Sequence, residues 1–161
     1  MLKHVPATAI SFLKFTLGKI TKTRFKEVMY RFLGEIPDVD MFVREFWAIY
    51  KDNIFEWYYE TKREDDVVIS ASPEFLLEGF CKSLGVSCLM ASRVDKNTGK
   101  YDGENCYGKE KVRRFREKFG DEQIDCFYSD SLSDTPLAEI SRKAYIVTPK
   151  GALVPWDEFK A

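Results

Sequence analysis

The sequence predicts an α/β fold, a Rossmann-like and mainly parallel sheet preceded by an N-terminal helical segment. Three observations predict it. Short apolar runs at 67–69, 86–92, 124–128 and 144–147 read as strands, and Val67-Val68-Ile69, β-branched and unalternating, reads as a strand buried on both faces. Helical patterns separate them, so the order from residue 66 onward is βαβ(β)βαβαβ, which calls for parallel pairing and right-handed crossovers. Two of the strands end in polar tips that turn straight into a helix: Ser70-Ala71-Ser72, and Ser129-Asp130-Ser131 on the way to Asp134.

Residues 1–62 read as helices. Ile10, Leu13 and Leu17 share a face, and Gly18 is the stop. Thr23 is the expected cap of the next helix, where Phe25, Val28, Met29, Phe32 and Leu33 follow the i, i+3, i+4, i+7, i+8 pattern until Gly34 and Pro37 break it. Asp40 opens a longer segment with Phe42, Val43, Phe46, Trp47, Tyr50, Ile54, Trp57 and Tyr58 at helical spacing. Helix–helix packing is the expected use of that stripe; the sharper reading has a few aromatics facing a substrate.

Lys62-Arg63-Glu64-Asp65-Asp66 is a charged break, and it divides the chain into 1–62 and 63–161. The strand at 67–69 runs into its polar tip, with Ser72 as the expected N-cap and Pro73 as the first helical residue. Gly85 ends that helix. Asn97-Thr98-Gly99 is a turn between Arg93-Val94-Asp95 and Lys100-Tyr101, hence a hairpin. A helix at 108–119 carries Val112, Phe115 and Phe119 on one face. Thr135 and Pro136 start another after the second tip, 144–147 is the last parallel strand, and 152–156 a short closing one.

Composition narrows the function. Charges nearly cancel, at a formal −1, which argues against a dedicated nucleic-acid or anionic-membrane surface. Lys19, Lys22, Arg24 and Lys26 read as a solvated helix face. No pair among Cys81, Cys88, Cys106 and Cys126 has the spacing of a zinc or thioredoxin-like site. Cys81, Cys88 and Cys126 fall in apolar segments and are expected to be reduced core thiols. A single histidine, His4, argues against histidine triads and His-rich metal sites. The N-terminus lacks a secretory pattern, and no apolar stretch approaches the roughly 20 residues that span a bilayer. A reducing cytoplasm is the expected location.

The chemistry sits at the two tips, where ligands of open α/β sheets bind. A hydroxyl beside exposed amides at a helix N-terminus suits phosphate, which makes Ser70, Ala71 and Ser72 candidates. Asp130, with Asp134 four residues on, suits Mg²⁺, which takes one or two carboxylates and keeps its waters. Lys109 and Lys111 would neutralise the phosphate. Together these form the electrostatic half of a phosphoryl-transfer centre. There is a decoy: Gly103 to Lys109 matches the Gly-x4-Gly-Lys core of a P-loop. Glu110 stands where a P-loop needs Ser or Thr, and the segment does not follow a clear buried strand.

Val67-Val68-Ile69-Ser70, Gly108-Lys109-Glu110-Lys111-Val112 and Tyr128-Ser129-Asp130-Ser131-Leu132-Ser133-Asp134 resemble, in order, motifs II, III and IV of the haloacid dehalogenase superfamily. The match looks closest to its phosphoserine-phosphatase-like branch, whose helical cap precedes motif II; 1–62 looks like most of that cap and 63–161 like the α/β core. The resemblance implies a Mg²⁺-dependent phosphomonoester hydrolase acting through an aspartyl-phosphate on a small phosphorylated metabolite. It implies that Ser70 holds phosphoryl oxygens, Asp130 binds Mg²⁺, and Asp134 orients its waters. The motif III lysine is Lys111 or Lys109, with Lys111 preferred because it precedes the first buried helix residue, Val112. Two small departures are Ser129 in place of the usual glycine and Ala71-Ser72 in place of glycines.

One departure is large. Motif I, a strand ending in Asp-x-Asp, carries the nucleophile and the general acid/base, and no such motif occurs here. Asp38-Val39-Asp40 has the spacing but reads as a turn and cap between helices. The expectation is a truncated form of a longer protein, nearly inactive, with weak Mg²⁺ binding. Its open strand edges could pair two copies. The alternatives are a non-catalytic binding or interaction protein on the same fold, or a P-loop-like nucleotide binder.

Overall fold

The computed structural model describes residues 5–160, and His4 lies outside them. By its contacts the chain divides into two compact units, Met1–Asn105 and Cys106–Ala161.

In the first unit, α1 (Val5–Thr16) packs on α2 (Lys22–Tyr30), with Phe15 stacked on Phe25 at 5.4 Å between ring centroids. Ile10, Leu13 and Leu17 do share an open face: they are 57%, 59% and 60% exposed. Thr21, rather than Thr23, caps α2. Its backbone is extended, and its hydroxyl accepts the Arg24 amide at 3.1 Å, whereas Thr23 already lies in the first helical turn. A 3-10 turn, Arg31–Glu35, follows. Helix α3 (Val39–Tyr50) is capped by Asp38, whose carboxylate accepts the Met41 amide at 2.8 Å. A short α4 (Glu56–Thr61) closes the helical segment. The aromatic stripe packs where its rings find partners: Trp47 lies flat on Phe80 at 3.8 Å and donates its indole N–H to Leu76 O.

Strands β1 (Val67–Pro73) and β2 (Cys88–Ser92) pair in parallel, with α5 (Glu74–Ser83) between them in sequence. The pairing is regular from Val67↔Cys88 to Ile69↔Met90, then slips to Pro73↔Ser92. Two expectations are corrected here. The strand continues through the polar tip, so Pro73 occupies the cap position of α5 without a side-chain cap, and Ser72 does not cap it. β1 is also half-buried along most of its length rather than covered on both faces, and among the described residues only β2 pairs with it. Lys62 closes the other end of α5 by donating to Leu84 O at 2.7 Å.

The hairpin forms through the bridge Val94↔Tyr101. The Asp95 carboxylate accepts the Asn97 and Thr98 amides, which holds its pKa below the ordinary range. Gly99 has φ +71°, and a Cβ there would meet Tyr30 O at 2.4 Å. Both the backbone and the space therefore require glycine. Gly99→Ala should cost about 2–4 kcal/mol from left-handed strain plus overpacking. Urea denaturation reads it, and an unchanged midpoint would mean the turn can move off Tyr30.

The second unit is α6 (Lys109–Phe119), β3 (Ile124–Ser129), a 3-10 turn at Leu132–Asp134, α7 (Thr135–Ala138), β4 (Ser141–Val147), β5 (Leu153–Pro155) and α8 (Trp156–Lys160). Its sheet runs β3-β4-β5, with β3 parallel and β5 antiparallel to β4. The parallel strands expected in one sheet thus form two hydrogen-bonded ladders. Among the described residues β3, like β1, has a partner on one edge only. Ala138, Ile146 and Trp156 form the core, with Phe127 and Ala144 packed against it. Cys81 and Cys88 are buried as expected, but Cys126 is exposed: it pairs in register with exposed Lys143 rather than with the core. The helix expected from Thr135 is a single turn, and the Thr135 hydroxyl donates back to Leu132 O at 2.7 Å instead of capping. Among the described residues no helix is long and apolar enough to cross a membrane.

Candidate functional site

The end of β3 carries the densest polar cluster of the second unit. Asp130 leaves the strand there and is exposed. The chain then curls back through hydrogen bonds between serines. The Ser131 amide donates to Ser129 Oγ at 3.2 Å, and the Ser133 amide to Ser131 Oγ at 3.3 Å. The turn returns Asp134 to the strand, where it is 6% exposed. Its Oδ2 accepts the Lys111 ammonium at 2.7 Å and the Ser129 hydroxyl at 2.8 Å. Its Oδ1 is buried and has no donor.

Lys111 lies in the first turn of α6 and is 7% exposed, so the pair is buried on both sides. Lys109, two residues earlier, is exposed; the ion pair to Asp134 is made by Lys111. Between them, Glu110 accepts two guanidinium hydrogen bonds from Arg113, at 2.6 and 2.7 Å, and one from Arg114, at 2.7 Å. These donors hold its pKa down at about 2. This carboxylate, at the position where a P-loop places a hydroxyl, anchors its own helix. Its contribution to stability is in place above the ordinary carboxylate range and is lost as pH falls toward about 2. Cys106 is fully buried, and burial pushes its thiol pKa up.

In the first unit, the register slip frees the backbone of 70–72 from the ladder, and local groups take it up. The Ser72 amide donates to Ser70 Oγ at 3.1 Å. Lys26 of α2 donates to Ala71 O at 2.7 Å. Ser92, fully buried, lies 3.0 Å from Asn105 Oδ1 and 3.4 Å from Ala71 O. Lys26 was expected on a solvated face and instead reaches a strand tip. Nothing in charge patterning marks it, because its partner is a backbone carbonyl 45 residues away. Asp38 and Asp40 are both engaged as helix and surface groups, one as the cap of α3 and the other in a 2.5 Å ion pair with Lys96.

Residues 4–139 match the family model of haloacid dehalogenase-like hydrolases. The chain belongs to that family. Among its relatives is a Mycobacterium tuberculosis protein named as a probable phosphatase, 38% identical over 96 residues, a match covering 55% of this chain and 33% of that protein. Protein CicA of Caulobacter vibrioides is 36% identical over 81 residues, covering 47% of this chain and 36% of CicA. The match thus spans about a third of the length of these relatives. A crystal structure of a Bordetella pertussis protein of unknown function shares the fold, with a TM-score of 0.67 over 86% of this chain and 71% of that one, at 19% identity. This α/β architecture is therefore that of a solved structure as well as of the family.

Among the described residues no group of three or more His, Cys, Asp or Glu side chains could hold a metal ion. What is present fits part of a Mg²⁺ site. Exposed Asp130 offers a hard oxygen ligand, and the donorless, buried Oδ1 of Asp134 is an acceptor awaiting an N–H, an O–H or a water.

Proposed function

We propose that this chain carries most of the machinery of a Mg²⁺-dependent phosphomonoester hydrolase of the phosphoserine-phosphatase-like branch, acting on a small phosphorylated metabolite in the cytoplasm. The observation that carries the reading is the buried Lys111–Asp134 pair clamped by Ser129, one residue from exposed Asp130. Residues of motifs III and IV, far apart in sequence, meet in one hydrogen-bonded cluster. Asp130 would hold the cation directly and Asp134 through a water, and Mg²⁺ when bound would neutralise charge on the phosphoryl oxygens. Ser70, whose hydroxyl accepts the Ser72 amide and keeps its own proton, would donate to a phosphoryl oxygen, and Lys109 would add positive charge. Lys111 would hold Asp134 in place. The probable phosphatase among the relatives supports the same chemistry.

Within these residues no strand ends in Asp-x-Asp, and Asp38 and Asp40 are engaged elsewhere. The chain by itself should therefore show no turnover. That same fact favours a second reading, a non-catalytic protein that binds phosphorylated ligands on this fold. Hydrolysis of p-nitrophenyl phosphate separates them. A form extended upstream by an apolar strand and Asp-x-Asp should hydrolyse it through an aspartyl-phosphate, with Mg²⁺ required, while the chain alone should not. If no extended form turns over any phosphomonoester, the binding reading stands instead.

A further inference from the structure

We infer that Ser129 is a positioning residue that fixes both aspartates at the end of β3 for a divalent cation. The inference rests on the Mg²⁺ reading above and goes beyond it. The Ser129 hydroxyl donates to Asp134 Oδ2 at 2.8 Å, the same oxygen that takes Lys111 at 2.7 Å. With both donors on one oxygen, the carboxylate cannot turn about χ2 without breaking two charge-assisted hydrogen bonds. The other oxygen, Oδ1, is thereby left buried and without a donor. The two oxygens are equivalent, so the clamp chooses a direction and not an atom: it fixes where the second oxygen points toward a cation-bound water.

Lys111 alone would not fix this choice. An ammonium is a compact charge with three rotatable donors on a flexible stem, and it follows a turning carboxylate. The Ser129 hydroxyl sits on a short side chain at the end of a hydrogen-bonded strand, in register with Ile146, and cannot follow. The same hydroxyl also accepts the Ser131 amide at 3.2 Å. Ser131 directly follows Asp130, so one atom braces the backbone of the first aspartate and the side chain of the second. The family resemblance puts glycine at this position, which has no hydroxyl to do either.

Mn²⁺ titrated into the full chain provides the test, because paramagnetic broadening of the amides of 129–134 reports affinity without turnover. Ser129→Ala should weaken Mn²⁺ about tenfold, the low end for losing a group that orients a metal ligand. Ser129→Thr, which keeps the hydroxyl on a strand, should stay within about threefold of the natural chain, less than that same loss. Ser129→Gly is the second variant, in case the alanine form folds poorly, and should match alanine. Unchanged affinity in the alanine or glycine form, or a threonine form no better than alanine, overturns the inference. Asp130→Asn is the control. If it abolishes broadening while Ser129→Ala does nothing, only the Ser129 inference falls. If broadening persists in Asp130→Asn, or the natural chain shows none at millimolar Mn²⁺, the cation reading falls and takes this one with it.

Discussion

Lys111→Met should lower the stability of the folded chain by about 3–5 kcal/mol, the usual cost of removing one partner of a buried ion pair. Lys111 and Asp134 have side chains only 8% exposed, so water cannot replace the lost ammonium. The Asp134 carboxylate would keep only the Ser129 hydroxyl on Oδ2 and nothing on Oδ1. A buried carboxylate without its partner then draws the turn at 130–134 outward toward water. Lys109→Met, on the exposed residue two positions earlier, should change stability by less than about 0.5 kcal/mol, as surface substitutions do. Adding Asp134→Asn to Lys111→Met should recover part of the loss, because the unpaired charge is gone. Urea denaturation of the four proteins decides it. Equal midpoints for the Lys109 and Lys111 variants would mean the pair is not buried in solution.

The element order was legible because its signals are local. Apolar runs of strand length, Gly and Pro stops, and the Asn97-Thr98-Gly99 turn each act within a few residues, and each produced its element. What was not legible depends on partners outside the window. Burial of β1 was overstated because it is set by what packs on the sheet from elsewhere in the chain, and β1 is half-buried along most of its length. Cys126 sits in an apolar run yet faces out, because its register partner is Lys143 at an uncovered stretch of sheet. At the site, Asp130, Asp134 and Lys111 could be named from residue type and order. The sequence favoured Lys111 over Lys109 on its place before Val112, and in the structure Lys111 is buried and Lys109 exposed. Ser129 stood out in sequence only as a replacement for glycine. Its role depends on a hydrogen bond to a residue five positions away that exists only once the turn has closed.

In a form of the protein that turns over phosphomonoesters, Asp130→Asn should lower kcat by about 10²–10³, the loss typical of removing one electrostatic stabiliser of the transition state. Asp130 stands at the carboxyl end of a strand parallel to its neighbour, where open α/β sheets place their ligands. It is exposed while Asp134 is buried, so of the two carboxylates it is the one able to reach a hydrated cation. Asparagine keeps the size and one oxygen but removes the charge, so the loss should appear in kcat and in the Mg²⁺ concentration needed, with the fold intact. Ser70→Ala should cost less, because it removes a neutral hydroxyl and frees the Ser72 amide, which Ser70 Oγ now holds, as a donor at the same tip. The two variants, compared by kcat at saturating and limiting Mg²⁺, give a pattern that a structural defect would not. Near-full activity in Asp130→Asn, with the Mg²⁺ requirement unchanged, would place the cation elsewhere.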